Sequence, residues 1–221
     1  MSSRRTGAPR RLGLNSAPRR PRLDDALRRA IDVAVAAVGT AVTAPVVAVL
    51  AAAIRLESPG SAIYRQTRVG RDGELFSIYK LRTMVTGAEF VGAGLSINQG
   101  DDRITRIGSF LRRYSLDELP NLWNVLRGEM SVVGPRPTIQ VQVDQYTERQ
   151  RGRLAVKPGI TGWAQINGRA SLPWPERIEL DLWYVEHRTL KLDRQIMART
   201  VRMVLAGHGL YKGDTGGWRA T

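Results

Sequence analysis

Cysteine is absent from the chain, which excludes disulfides, thiolate metal sites and a cysteine nucleophile, and is compatible with a reducing cytosol. Histidine is almost absent: His187 and His208 have no partners at metal-ligand spacing and read as structural or exposed. The lack of a GxxxxGK[ST] run argues against a P-loop enzyme. Acid is missing where base is densest. Residues 1–22 hold seven arginines and no Asp or Glu, half of a formal net charge of +14. Pro, Gly and Ser fill out that stretch without apolar periodicity, so 1–22 is expected to be a disordered Arg-rich tail. Nucleic acid or an anionic leaflet would each satisfy it, the leaflet at roughly 1 kcal/mol per basic side chain.

What is present in quantity is one long uncharged run. Val33 to Ile54 comprises 22 residues, mostly Ala and Val. As a straight helix it would measure ~33 Å, enough to cross a bilayer. A transmembrane span, a signal peptide ending near Ala51-Ala-Ala53 and a buried core helix all fit that description. Two details favour a re-entrant geometry. Pro45 removes one helical hydrogen bond and frees the Ala41 carbonyl, with the Thr40 and Thr43 hydroxyls near enough to compensate. Basic residues also flank both sides: Arg28 and Arg29 before the run, Arg55, Arg65, Arg68, Arg71, Lys80 and Arg82 after it. The positive-inside tendency places both flanks in the cytoplasm, which a helix bent at Pro45 satisfies and a straight span does not. From the residues alone, span and re-entrant helix both stand.

Beyond Glu57-Ser-Pro-Gly60, Ala62–Tyr64 and Leu75–Tyr79 read as strands around the turn Gly70-Arg-Asp-Gly73. Thr86–Gly100 reads as a mobile loop. Arg106–Arg113, Leu116–Leu126, Thr138–Arg149, Glu176–Val185 and Leu192–Leu205 read as helices. The last has Ile196, Met197, Thr200, Val201, Val204 and Leu205 on one face. Pro135-Arg-Pro137 is rigid and extended, and Pro158–Gly162 is a turn. Trp123, Trp163, Trp174 and Trp183 suit a membrane interface or a core equally.

Asp117 and Glu118 carry the chemistry. They stand among Arg112, Arg113 and Arg127 with no His or Cys nearby, a poor setting for acyl transfer and a suitable one for Mg²⁺ and phosphate. An ionised carboxylate can attack phosphorus. The bland alternative is a capping box, with Ser115 as N-cap and Glu118 reaching back. Lys80 and Arg82 taken alone read as surface charges. Arg136, held between two prolines, is pre-aimed for phosphate.

Blocks along the chain resemble the bacterial sugar transferase family, the monotopic polyprenyl-phosphate phosphoglycosyl transferases, in its short form. They are Glu57-Ser-Pro-Gly60, Tyr64-Arg-Gln66, Lys80-Leu-Arg-Thr-Met84, Asp102–Arg106, Ser115-Leu-Asp-Glu-Leu-Pro120, Asn124-Val-Leu126, Met130–Pro137 and Val156–Arg169. They stand in the family's order and cover about Arg22 to Leu205. The resemblance implies an α+β, predominantly helical fold. A membrane-embedded re-entrant helix broken at Pro45 (23–56) would precede a cytosolic catalytic domain (57–206) and a flexible C-terminus (207–221).

It further implies an inner-membrane enzyme of the EC 2.7.8 class on the cytosolic face. Such an enzyme moves a phosphosugar from a nucleotide-sugar donor, usually a UDP-sugar, to a polyprenyl phosphate acceptor, undecaprenyl phosphate, with Mg²⁺ as cofactor. UMP is released, and exopolysaccharide, O-antigen, capsule or glycoprotein synthesis begins. Carried over by position, Asp117 is the nucleophile, forming a covalent aspartyl-phosphosugar. Glu118 is its partner and the Mg²⁺ residue, and Arg112 holds phosphate. Lys80 and Arg82 line the site, Pro135-Arg136-Pro137 binds nucleotide, and Asp181 is a later acid. Ala44 before the hinge proline and Ala170 after Asn167-Gly-Arg169 depart from the family pattern. Anionic membrane lipids are expected partners and nucleic acid is not; a homo-oligomer stays open. The rival from another class is a membrane-tethered basic nucleic-acid-binding or scaffold protein, which leaves the acid pair without purpose.

Overall fold

The computed structural model describes residues 23–88, 101–168 and 172–206. The Arg-rich tail, most of the Thr86–Gly100 loop, Ala170, His208 and the C-terminus lie outside them. Among the described residues the fold is α+β and mostly helical, with eight helices and two small sheets.

Helix α1 (Leu23–Glu57) holds the apolar run. Its 35 residues give a length of ~52 Å. Only 6 % of its apolar window is buried, which rules out the core-helix reading. The helix is continuous through Pro45, so this continuity does not show the expected break. Thr43 donates to the Gly39 carbonyl at 2.7 Å, not to Ala41, and the Thr40 hydroxyl is buried without a partner. One stripe of α1 packs on the rest of the protein, including Ala36, Val47, Leu50 and Ile54. The other stripe leaves Val38, Val42 and Val49 about two-thirds exposed (64 %, 67 % and 68 %).

Both ends of α1 are fastened to the same body. At the start, Arg28 Nε donates to Asp193 at 2.7 Å. Arg29 caps the end of α3 (Asn121–Arg127) through the Val125 and Leu126 carbonyls at 2.6 and 2.8 Å. Asp32 accepts from the Val132 amide at 2.8 Å. At the far end Ile54 sits in a core cluster with Ala62, Leu81 and Leu111. Glu57 accepts from the Ile107 amide at 3.2 Å, at the start of α2 (Arg106–Arg113), where a carboxylate is stabilised by the helix's free amides.

Strands β1 (Ile63–Val69) and β2 (Leu75–Leu81) form the expected antiparallel hairpin, longer than the sequence suggests. Its turn places Asp72 at φ 54° and Gly73 at φ 84°. The register pairs Tyr64 with Lys80, Gln66 with Ile78 and Arg68 with Phe76. Side chains alternate along a strand, so these residues share one face of the hairpin.

The second sheet pairs β3 (Ser131–Val133) in parallel with β4 (Gly159–Thr161). Pro158–Gly162, expected as a turn, is therefore mostly strand. Glycine is required there because a Cβ on Gly159 would lie 2.1 Å from the Gly134 nitrogen. The Gly159 amide also donates to the Pro135 carbonyl at 2.8 Å, which fixes the Pro-Arg-Pro segment against β4.

Thr138–Arg149, expected as one helix, is split into α4 (Gln140–Asp144) and α5 (Glu148–Arg151). After the short α6 (Trp163–Ile166), α7 (Trp174–His187) and α8 (Leu190–Leu205) close the domain. Ile178 and Leu182 of α7 pack with Val69, Val143, Tyr146 and Leu154. On α8, Leu192 and Ile196 are buried with Val133 and Tyr184. Val201 and Leu205 face outward, so only the first half of the expected apolar face is covered. Trp163 and Trp174 pack against core clusters, whereas Trp123 and Trp183 are exposed. His187 stacks on Trp183.

Candidate active site

A buried acid pair needs its backbone aimed inward, and the run after α2 supplies this. Helix α2 starts on the Thr105 hydroxyl, which accepts from the Gly108 amide at 2.9 Å. It ends at Arg113, and Ser115 then takes a left-handed conformation (φ 54°), uncommon for a non-glycine residue. The following 3₁₀ turn, Leu116–Glu118, drives Leu116 against the Ile54–Leu81–Leu111 cluster and buries both acids. The capping-box alternative is thereby overturned. The Ser115 side chain caps nothing, and Glu118 reaches across to other elements.

Glu118 Oε1 accepts from Lys80 Nζ at 2.7 Å and from an Arg136 Nη at 2.8 Å. Burial alone would raise the Glu118 pKa, but Arg136 and Lys80 outweigh it and hold the carboxyl well below its ordinary range. Glu118 is therefore held as an anion at neutral pH. Lys80 is pulled down by burial, against the opposing pull of Glu118.

Asp117 behaves oppositely. It is 5 % exposed and its Oδ1 is buried with no hydrogen-bond partner. Burial pushes its pKa up, with Glu118 adding to the rise and Lys80, Arg112 and Arg136 opposing it. Two adjacent carboxyls thus have pKa values driven apart, a common property of reactive sites.

Lys80, Glu118, Arg136 and Pro137 line one small cleft, together with Arg68 and Asn121. Asp117 does not line it; its carboxyl is enclosed one residue behind the wall. Arg112 is buried, donates from Nε to the Thr83 hydroxyl at 2.7 Å and acts on Asp117 electrostatically. Pro135 and Pro137 hold Arg136 extended.

Arg82 is not brought to this cleft. It binds the Ser58 and Pro59 carbonyls and the Thr86 hydroxyl, pinning the turn after α1. Strand β2 ends at Leu81, so the alternation that would put Arg82 beside Lys80 stops one residue short.

Asp181 is behind the cleft as well. It pairs with the buried Arg153, which donates to the Arg136 carbonyl at 3.1 Å and to the Tyr146 hydroxyl. Asp181 thus supports the backbone of Arg136 without reaching the cleft. Its pKa is raised by burial, against the pull of Arg153.

Arg68, Asn121 and Arg153 are site residues that local sequence reading passes over. The hairpin's alternation carries the signal for Arg68, which shares a face with Lys80. Asn121 is buried with its Oδ1 unpartnered, and nothing local distinguishes it from a helix-starting asparagine.

A roomier, mostly apolar cavity lies elsewhere, between α1, β3 and α8, walled by residues such as Ile31, Val132, Leu190 and Met197. Its two acids are spent on the fold, Asp193 on Arg28 and Asp32 on the Val132 amide, so the chemistry points to the smaller cleft.

Among the described residues no cluster of three or more His, Asp or Glu could hold a metal alone. A cation bound here would need substrate oxygens as well. Mg²⁺ suits that, since it uses one or two carboxylates, phosphate oxygens and water. The unpartnered Asp117 Oδ1 and the carboxylate of Glu118, whose two ion pairs both fall on Oε1, are hard oxygen donors that fit it.

Comparison with known proteins shows the family. The family described as Bacterial sugar transferase matches residues 23–207. A sugar transferase of Bacillus subtilis, EpsL, is 40 % identical over 184 residues, 83 % of this chain and 90 % of that protein. A UDP-glucose:undecaprenyl-phosphate glucose-1-phosphate transferase of Caulobacter vibrioides is 43 % identical, covering 85 % of this chain and 73 % of that protein. An undecaprenyl-phosphate galactose phosphotransferase of Salmonella typhimurium is 41 % identical over 69 % of this chain and 35 % of its own length.

Proposed function

The chain belongs to the bacterial sugar transferase family, and from that premise we propose that it moves a sugar 1-phosphate from a UDP-sugar to undecaprenyl phosphate, releasing UMP and starting glycan assembly. The observation that carries this reading is an enclosed Asp117, its pKa raised by burial, next to a Glu118 that Arg136 and Lys80 hold ionised in the wall of a cation-rich cleft. Relatives of near-equal identity are named for glucose and for galactose, so identity does not select the sugar.

In the proposed reaction a carboxylate oxygen of Asp117 attacks the β-phosphorus of the donor. The bond from that phosphorus to the oxygen bridging it to the α-phosphate breaks, and UMP leaves. An oxygen of the lipid phosphate then attacks the phosphosugar phosphorus, the bond to Asp117 breaks, and the carboxylate is regenerated. Lys80, Arg112 and Arg136 offset the charge that builds on the phosphoryl oxygens. Glu118 keeps Lys80 and Arg136 aimed, and Arg153 with Asp181 fixes the Arg136 backbone. Mg²⁺, which Asp117 and Glu118 would hold together with substrate oxygens, supplies further neutralisation of phosphate charge.

The membrane part of the proposal is that α1 enters and leaves the same leaflet, with the catalytic domain on the cytosolic side. Support comes from its two ends. Arg28, Arg29 and Asp32 bind the domain at one end, Ile54 and Glu57 at the other. A span with its ends on opposite sides of a bilayer would tear one set away. Pro45 and the exposed valine stripe suit a helix that dips into lipid.

The test is incubation with a panel of UDP-sugars, undecaprenyl phosphate and Mg²⁺, scored for UMP. Lipid-dependent UMP release with at least one donor is expected. Tight, salt-sensitive nucleic-acid binding with no turnover of any donor would favour the scaffold reading instead.

A further inference from the structure

The cleft holds more positive charge than its own acids balance. Arg68, Lys80 and Arg136 all line it, and Glu118 already serves both Lys80 and Arg136. Arg68 makes no ion pair among the described residues. Its Nη atoms reach neutral oxygens only, Gln66 Oε1 at 2.5 Å and the Pro137 carbonyl at 3.3 Å, and its Nε is buried without a partner. Burial and the neighbouring Arg136 pull its pKa down to about 10, so it stays charged at neutral pH. An enclosed cation without a carboxylate is a cost to the fold, and such groups concentrate at sites that bind anions.

Position then separates Arg68 from the other cations. The hairpin register sets it four residues along the shared face from Tyr64, the partner of the Lys80 that pairs with Glu118. Its bond to the Pro137 carbonyl sets it against the Pro-Arg-Pro segment. A donor diphosphate with its β-phosphorus at Asp117 needs a second cation for its α-phosphate, and of the cations lining the cleft Arg68 is the one that no described carboxylate pairs.

Resting on the function proposed above, we infer that Arg68 is the binding residue for the nucleoside-side phosphate of the donor, oriented by Gln66, and that it stabilises UMP as the leaving group. The weak bond to the Pro137 carbonyl is the one a phosphate oxygen would replace.

The test uses full-length protein in lipid nanodiscs, with Arg68→Met and Arg68→Lys compared with the parent. UMP and uridine are each measured as inhibitors of turnover and as stabilisers against heat. One charge-assisted contact to phosphate corresponds to roughly 10- to 100-fold in affinity. Arg68→Met is expected to weaken UMP by that factor, leave uridine unchanged and melt no lower than the parent when ligand-free. Arg68→Lys should recover part of the UMP affinity. An unchanged UMP constant in Arg68→Met, or equal losses for UMP and uridine, would overturn the assignment. If the parent turned over no nucleotide sugar yet Arg68→Met still lost UMP specifically, the proposed reaction would fail while the phosphate site stood.

Discussion

Glu118→Gln should destabilise the protein, and Asp117→Asn, one residue away, should not. In the first variant Lys80 and Arg136 lose the negative charge they face at 2.7 and 2.8 Å, and Arg68 remains nearby. Breaking a buried pair costs about 3–5 kcal/mol, and because the Arg136 side chain is 39 % exposed the loss belongs near about 3 kcal/mol. For a domain of this size that lowers Tm by roughly 6–12 °C. In Asp117→Asn a carboxyl that burial already disfavours as an anion becomes neutral, so Tm should hold or rise.

The pH dependence carries opposite signs. The folded pKa of Glu118 is depressed, so its contribution is complete above an unfolded value of about 4.3 and fades as pH falls through the folded one. The folded pKa of Asp117 is raised, so its ionisation detracts from stability as pH rises through that value. Thermal melting of purified variants from pH 2 to 8 reads both. A Glu118→Gln melt within a degree of the parent at pH 7, or a Glu118→Gln deficit no larger than that of Asp117→Asn, would refute this electrostatic account.

Three further outcomes follow from the same geometry. Arg82→Gln should lower Tm by freeing the Ser58–Pro59 turn while leaving KM for the donor within about twofold, since the side chain is spent on carbonyls outside the cleft; a tenfold rise in KM at unchanged Tm would return Arg82 to the site. The nucleophile must be ionised, so kcat should fall with acidification at a pH above the ordinary aspartate value of about 3.9, and full activity down to that value would contradict a buried Asp117. The natural absence of cysteine permits topology labelling: Asp25→Cys and Leu56→Cys in intact vesicles should react from the same face, and labelling from opposite faces would establish a span.

Much of this was legible in the residues because the information is local. The hairpin announces itself through Gly70-Arg-Asp-Gly73 between alternating strands, and the long apolar helix through the uncharged Val33–Ile54 run. The parallel pairing of Ser131–Val133 with Gly159–Thr161 was not legible, since three-residue strands carry no period of their own and depend on a distant partner. At the site, Lys80, Glu118 and Arg136 come together as their motifs imply. Arg82 shares Lys80's motif but not its strand, so spacing misplaces it. Ser115-Leu-Asp-Glu118 matches a capping box letter for letter, and the left-handed Ser115, which tertiary packing imposes, voids it. Arg153 and Asp181 become a support for Arg136 through contacts that no local pattern records.

Incubating the enzyme with a turned-over UDP-sugar and Mg²⁺ but no lipid, then measuring intact mass and mapping the adduct by peptide, tests the nucleophile most directly. A gain of one sugar phosphate, located on Asp117, absent in Asp117→Asn and discharged on adding undecaprenyl phosphate, is the predicted result. Product formed at the normal rate with no mass gain at any time point, or an adduct on a different residue, would contradict it.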